Sequence, residues 1–474
     1  MLFVQDRSLL LDSLNVARNI AERSFMGLVD PLSYEQSAPL LFLWISKGIS
    51  SVFGLTHYAL RLFPLIMGVL SLFLFADLSK KFLNRPFGII SLFWFGTHQL
   101  VARYATEYKQ YMVDVFAALL IIWVVLKVRE VHKDNWWKLL LGGMMIIWLS
   151  MPSVFVLISA IVYFMVVQHE NGKSKWPLIG VVGGLTLSFL ANYFIMLSPT
   201  IGSSHMQNYH NRFFLEGRIF DLDSLAHDFG LIVSQARMIV GKSGLAIGAA
   251  LLSIIISIYT SIKQKRQELI LLILPIIGAF GASLVGKYSI IERLMLFSLP
   301  LSMLIIMLGI QSVYHRSRLQ KAYVTRGLLV ILVLGLIVGF VEKQSFKYII
   351  EPFEHEDNRS SLLYISNHQE KKRTVICTQH AVPAYDYYSR HDENYNRIDV
   401  GPKIEMEYNS DIVAEALGRL EKEEKVWILA NHYSESAINS LIDNTHKVAQ
   451  IENSYRAKNS VAICISKKDL SNKK

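Results

Sequence analysis

Tyr58-Ala59-Leu60-Arg61-Leu62-Phe63-Pro64-Leu65-Ile66-Met67-Gly68-Val69-Leu70-Ser71-Leu72-Phe73-Leu74-Phe75-Ala76-Asp77-Leu78 is apolar almost throughout, carries ionisable groups only near its ends, and runs straight into Lys80-Lys81. A hydrocarbon layer about 30 Å thick takes roughly 20 such residues as one helix, and a soluble core helix rarely needs this length without a polar face. Stretches of the same kind recur at about 86–102, 110–127, 138–150, 152–168, 176–196, 235–261, 269–286, 293–313 and 326–342. Met151-Pro152-Ser153 separates two of them, as a bend in one helix or a tight hairpin. Their sum predicts a polytopic helical membrane protein of about ten spans.

Composition agrees. The 474 residues are 52% hydrophobic and only 18% charged, with a mean hydropathy of +0.34. The net charge of +10 would point a soluble protein toward nucleic acid, but these cations sit in short loops beside apolar runs, which excludes that reading. Lys80, Lys81 and Arg85, then Arg129, Lys133 and Lys138, then Lys173 and Lys175, then Lys263, Lys265 and Arg266, and finally Arg316, Arg318, Lys321 and Arg326 fill alternate connections. By the positive-inside rule those loops are cytoplasmic. The other connections hold fewer cations: Arg103 and Lys109, the Pro152 turn, Arg212 and Arg218, and Lys287.

Parity then divides the chain into three expected parts. Residues 1–57 form an outer-face first loop with amphipathic helices, provided that Leu40–Phe53, interrupted by serines and Lys47, lies along the surface. Residues 58–342 form the transmembrane domain, and 343–474 a small extracytoplasmic α/β domain. Within the last part Thr374–Gln379, Lys425–Asn431 and Ser460–Ser466 read as strands, Asp411–Glu424 and Ser434–Asp443 as helices. Cys377 and Cys464 fall in strand-like runs without metal-knuckle spacing and are expected as buried free thiols, although an extracytoplasmic setting permits a disulfide. The chain opens on Met1-Leu2-Phe3-Val4-Gln5-Asp6-Arg7 with no apolar signal run.

Ionisable residues near a bilayer are the informative ones, because burying them is expensive. Two clusters stand out. Asp12 lies inside Arg7-Ser8-Leu9-Leu10-Leu11-Asp12-Ser13-Leu14, where a solvated or capping carboxylate is the plain alternative to a functional one. Arg103, Glu107, Tyr111 and Asp114 would share one face of a continuous helix, with a structural Arg103–Glu107 ion pair as the competing account. His380 and His432 sit at strand ends, where a satisfied surface or core histidine is the commoner case.

Arg7–Ser13, Pro31–Pro39, Ala59-Leu60-Arg61-Leu62-Phe63-Pro64, Glu107–Asp114 and Glu292-Arg293-Leu294-Met295-Leu296-Phe297 together resemble membrane glycosyltransferases of the GT-C class. The likeness is to the protein O-mannosyltransferase-like and aminoarabinose-transferase-like bacterial proteins, in order and spacing over most of the membrane part. It implies a sugar moved from a polyprenyl-phosphate donor to a lipid, glycan or protein acceptor at the outer face of a bacterial inner membrane. Asp12 would be the general base and Glu107 the acidic residue of the second outer loop, orienting substrate or holding a divalent cation. Arg103, Lys109, Tyr111 and Arg293 would meet the lipid phosphate, with Lys287 behind them; for each cation, snorkelling to headgroups is the plain alternative. Ser13 departs from the pattern, which has glutamate there, and the pattern also places a helix ahead of residue 1, so the true start is expected upstream. A lipid-linked saccharide transporter and a non-catalytic envelope scaffold are the readings to be weighed against catalysis.

Overall fold

The computed structural model describes residues 2–130, 136–170, 176–198, 204–218, 220–320, 323–346, 348, 356–369, 371–391, 398–406 and 411–468. Lys133, Lys173, Lys175 and Lys321, which the sequence assigns to basic loops, lie outside them. The expected architecture is present: a helical membrane bundle followed by a small α/β domain.

The helices that open the chain are α1 (Leu11–Glu22), α2 (Leu40–Phe53), α3 (His57–Phe82), α4 (Arg85–Thr97), α5 (Gln99–Ala105), α6 (Tyr111–Glu130), α7 (Trp136–Leu149), α8 (Ser153–Glu170) and α9 (Trp176–Asn192). Further long helices cover Leu222–Val240, Gly244–Lys263, Ile270–Leu284, Leu299–Gln320 and Tyr323–Glu342. Among the described residues seven helical stretches are long and apolar enough to cross a bilayer, and α2, α7 and α8 are apolar but shorter. Leu294–Arg318 is the bundle's centre, 94% of its most apolar 18-residue window being buried, whereas for Tyr323–Glu342 that share is 17% and the helix lies at the bundle's periphery.

Small residues set the closest helix approaches, as expected where lipid supplies no hydrophobic drive between helices. A Cβ on Gly309 would run into the Ser253 carbonyl, and Gly335 and Gly339, one turn apart, pack directly on Ala249 and Val240.

Two expected spans are corrected. The stretch 86–102 breaks at His98, where Gln99 N donates to Lys343 O (2.9 Å) and Ser345 N donates to Thr97 O (3.0 Å), so a strand-like bridge interrupts the helix. The stretch 235–261 contains two helices, because Gly241 (φ 83°) turns the chain between Val240 and Gly244. The first of them, Leu222–Val240, does not cross the bundle. Its start is tied to the preceding loop by Glu216 N and Gly217 N on Asp228 (2.8 and 2.9 Å), and its end meets His98 through Ile239 O. Leu222, Leu225, Phe229 and Ile232 form an exposed apolar stripe at helical spacing along it, the pattern of a helix lying in a membrane interface.

Helix α2 also begins and ends at one end of the bundle. Gln36, just before it, accepts from Lys109 Nζ (3.0 Å), and Leu55 O, just after it, accepts from Tyr387 OH (2.8 Å). At 1.5 Å per residue its 14 residues reach only about 21 Å. Lys47 turns back to Ile20 O of α1 (2.6 Å).

The C-terminal part forms one five-stranded sheet in the order β2-β1-β3-β5-β4, with β1 Val375–Cys377, β2 Lys403–Glu405, β3 Lys425–Asn431, β4 Gln450–Ala457 and β5 Ser460–Ser466. Strand β1 is parallel to both β2 and β3, while β5 is antiparallel to β3 and β4. Helices Ile412–Leu420 and Glu435–Val448 start on the side-chain caps Asp411 and Ser434. Cys377 on β1 and Cys464 on β5 are buried free thiols. Strand β3 lies between them, and two strand spacings of about 4.8 Å exceed disulfide reach.

The sheet domain clasps the N-terminal segment. Arg18 donates to buried Asp386 (2.9 Å), which also takes Lys403 (2.7 Å); Ser8 donates to Asp357 (2.8 Å); Tyr388 OH accepts from Leu9 N (3.0 Å). One apolar cluster runs from Leu9, Leu14 and Ile20 through Tyr387 and Tyr388 to Trp427.

Candidate active site

The segment before α1 is held extended by Arg61, a buried α3 side chain that donates to the carbonyls of Arg7 and Ser8 (2.9 and 3.1 Å). Arg7 in turn donates to the carbonyl and hydroxyl of Thr106 (3.1 and 3.0 Å). Those contacts fix the first turn of α1 over the α5–α6 turn. Asp12 and Ser13 are thereby presented to residues 107–109.

That turn corrects one expectation. Helix α5 ends at Ala105 and α6 begins at Tyr111, so Arg103, Glu107, Tyr111 and Asp114 do not share a continuous helical face. Thr106 ends α5 by returning its hydroxyl to the carbonyls of Ala102 and Arg103 (2.9 and 3.1 Å), and Lys109 N donates to Glu107 O (2.9 Å). The kink turns Glu107 and Lys109 inward, 3% and 6% exposed.

Asp12 Oδ2 accepts from Arg293 (3.2 Å), whose other amino group donates to Tyr209 OH (3.2 Å). The Lys109 ammonium, outweighing burial, and then Arg293 and His432 hold the Asp12 carboxyl below its usual range. Burial pushes the Lys109 amine down to about 8, against the pull of Asp12. Arg293 therefore pairs directly with Asp12, and Lys109 sits within strong electrostatic reach of it.

Glu107 is joined to this group through Ser13, whose hydroxyl donates to its carboxylate (2.9 Å). The departure from the family pattern thus has a structural consequence. A glutamate at 13 would set two carboxylates face to face; serine leaves one, hydrogen-bonded. Among the described residues no three His, Cys, Asp or Glu side chains are grouped to hold a metal ion. Among the described residues the donor set at this site does not fit a protein-built divalent-cation cage of several carboxylates.

Tyr111 is buried and meets Tyr104 edge-on at 5.2 Å between centroids, lining the same region. Arg103 lies over the Tyr104 ring at 5.2 Å. Lys287 is exposed on the turn before Arg293. Four residues joined to this group escaped the sequence reading as site residues: Gln36, Tyr209, Glu356 and His432. Gln36 lies in the quoted Pro31–Pro39 stretch and His432 stood out only as a histidine at a strand end; for Tyr209 and Glu356 no local signal exists. A cavity of about 470 Å³ lined by Lys81, Phe82, Arg266 and Glu268 lies at the opposite helix ends, away from these groups.

The family model for dolichyl-phosphate-mannose-protein mannosyltransferases matches residues 37–194, a segment that includes Glu107, Lys109 and Tyr111 but neither Asp12 nor Arg293. ArnT from Cupriavidus metallidurans in the apo state has a similar structure: TM-score 0.53 at 10% identity, covering 98% of this chain and 95% of that one. ArnT from the same organism bound to undecaprenyl phosphate gives 0.50 at 12% identity over the same shares. No curated protein gives a significant sequence match. The matched segment is thus similar to that mannosyltransferase family over a third of the chain, and the whole chain shares the fold of the two ArnT structures. Among solved folds it is ArnT-like from the first helix to the terminal sheet.

Proposed function

We propose that this protein transfers a sugar from a polyprenyl-phosphate donor to a lipid, glycan or protein acceptor at the outer face of a bacterial inner membrane, with Asp12 as general base. The observation that carries the reading is the meeting of Asp12, Lys109 and Arg293 from three distant parts of the chain. It joins a carboxylate to two cations beside the membrane-spanning helices. A departing lipid phosphate gains charge as the glycosidic bond breaks, and fixed cations stabilise that charge more in the transition state than in the ground state. A carboxylate beside them accepts the proton of the attacking hydroxyl or amine.

The solved fold of the same kind that holds undecaprenyl phosphate supports a polyprenyl-phosphate donor. Glu107, held by Ser13, then orients the acceptor side, and Arg103 and Tyr111 complete the wall near the phosphate. The scarcity of cations in the connections at this end of the bundle supports its outward orientation, and with it the division into an outer first loop (1–57), a transmembrane domain (58–342) and an extracytoplasmic domain (343–474). Convergence at one end, with no need for a central broken-helix site, favours transfer over transport.

The test is consumption of lipid-linked sugar by membranes carrying wild type, Asp12→Asn or Glu107→Gln. Loss of at least 100-fold in the Asp12 variant and a clear fall in the Glu107 variant are expected. Undiminished turnover in both sinks the mechanism.

A further inference from the structure

The C-terminal domain places a second titratable pair against the first turn of α1. Glu356, 3% exposed, accepts from Leu11 N with one oxygen (3.3 Å) and pairs with His432 Nδ1 through the other; Asn358 donates to it as well (3.3 Å). One buried carboxylate therefore ties the backbone beside Asp12 to an imidazole from the end of β3.

The topology explains why His432 is there. Strand β1 has β2 on one side and β3 on the other, all parallel, so the chain reverses its winding direction between β1 and β3. The carboxyl ends of strands at such a reversal are where open α/β sheets bind ligands. His380 follows β1 and His432 follows β3, their rings 5.2 Å apart between centroids. His432 also has φ 65°, a left-handed conformation uncommon for a side-chain-bearing residue and typical of positions constrained for function. Its side chain is 53% exposed although its partner Glu356 is 2% exposed, so the ring is anchored through Nδ1 yet open to solvent.

Asp12 by itself is a poor resting place for a proton. Its carboxylate is engaged by Arg293 and lies near Lys109, so the proton it takes from an acceptor must leave before the next turnover. We propose that His432, oriented by Glu356, draws that proton from Asp12 and delivers it to the outer solvent. The inference rests on the reading of Asp12 as base. In the step, the acceptor oxygen or nitrogen bonds to the anomeric carbon as the carbon–oxygen bond to phosphate breaks. The polyprenyl phosphate leaves with the electron pair, and the acceptor proton passes to Asp12 and then, through bridging solvent, to His432 Nε2. Glu356 stabilises the resulting imidazolium, as a buried carboxylate does in hydrolytic triads. His432 acts through Asp12 and is a positioning residue for the proton; Glu356 positions His432.

Three titratable groups face His432: Glu356 before helix Asn358–His368, Asp12 on α1 and His380 after β1. The hydrogen bond to Glu356 outweighs burial and, with the charges of Glu356 and Asp12, raises the imidazole above its ordinary range. Activity should therefore rise with pH as His432 loses its proton, with the midpoint above 6.5.

The experiment has two arms. In the first, full-length protein in detergent is treated with diethyl pyrocarbonate across pH, and His432 modification is followed by peptide mass spectrometry in wild type, Glu356→Gln and Asp12→Asn. Both variants are expected to shift the reactivity midpoint of His432 to lower pH; a midpoint indifferent to Asp12→Asn overturns the coupling. In the second, turnover of polyprenyl-phosphate lipids extracted from a strain lacking the protein is measured for His432→Ala with and without added imidazole. A loss of about 10-fold, disappearance of the rising pH limb and partial rescue by imidazole are expected. Wild-type turnover and pH profile in His432→Ala, with Asp12→Asn inactive, overturn this inference alone. Wild-type turnover in Asp12→Asn overturns the functional reading beneath it.

Discussion

Lys109→Met separates what the site costs in stability from what it does. The Lys109 amine is 6% exposed and titrates at about 8 against an ordinary 10.5. At about 1.4 kcal/mol per pH unit, keeping the buried ammonium charged costs about 3 kcal/mol relative to the unfolded chain. The sign follows from proton counts. Below pH 8 both states hold the proton and the penalty is paid in full. Between pH 8 and 10.5 the unfolded chain binds a proton that the folded one has released, so wild-type stability rises by up to about 3 kcal/mol. The methionine variant should lack that rise. Near neutral pH it gains the lost penalty but orphans Gln36 Oε1, the acceptor of Lys109 Nζ at 3.0 Å, and removes the strongest attraction on Asp12. Gln36 is only part-buried and can turn to water, so the loss of this hydrogen bond offsets only part of that gain. The assay is thermal unfolding in detergent from pH 6.5 to 10 together with turnover of lipid-linked sugar. The variant should be at least as stable as wild type at pH 7, flatter in its pH dependence, and severely impaired in turnover. A large loss of stability at pH 7 with wild-type turnover would refute the placing of Lys109 in the site.

Ser13→Ala removes the hydroxyl that donates to buried Glu107 and should cost about 1.5–3 kcal/mol, as hydrogen bonds to charged groups do, read as a lower unfolding midpoint. Gly309→Val drives a side chain into the Ser253 backbone and should sharply lower the yield of monodisperse protein, whereas Gly281→Ala, with open space around it, should not. Asp386→Ala leaves buried Arg18 and part-buried Lys403 without their shared carboxylate. A loss of about 3–5 kcal/mol should show as faster proteolytic release of the C-terminal domain.

Much of the fold was legible because membrane spans announce themselves by length alone. The same property hid the exceptions. The apolar run resumes at Leu100 and Val101, so Thr97-His98-Gln99 read as a polar patch inside one span; the break there depends on backbone pairing with residues 343–345. Gly241-Lys242-Ser243 did signal a boundary, but Leu231, Ile232, Val233 and Met238 made the preceding interfacial helix look like part of the next span. Strands β2 and β4 were missed because one has three residues and the other is a largely exposed edge strand, where alternation carries little hydrophobic contrast. Asp12, Glu107, Lys109 and Arg293 were found by resemblance to a family pattern. Glu356 lies in unremarkable local sequence and His432 was marked only by its strand end; they meet Leu11 and one another only through folding across 345 and 76 positions.

The central claim is transfer from a polyprenyl-phosphate sugar, and its most direct test is mass spectrometry of polyprenyl lipids in a strain lacking this protein, complemented with wild type or with Asp12→Asn. The account predicts a polyprenyl-phosphate sugar that accumulates in the deletion, returns to its normal level with wild type and stays high with Asp12→Asn. An unchanged lipid profile in the deletion, or full restoration by Asp12→Asn, would contradict it.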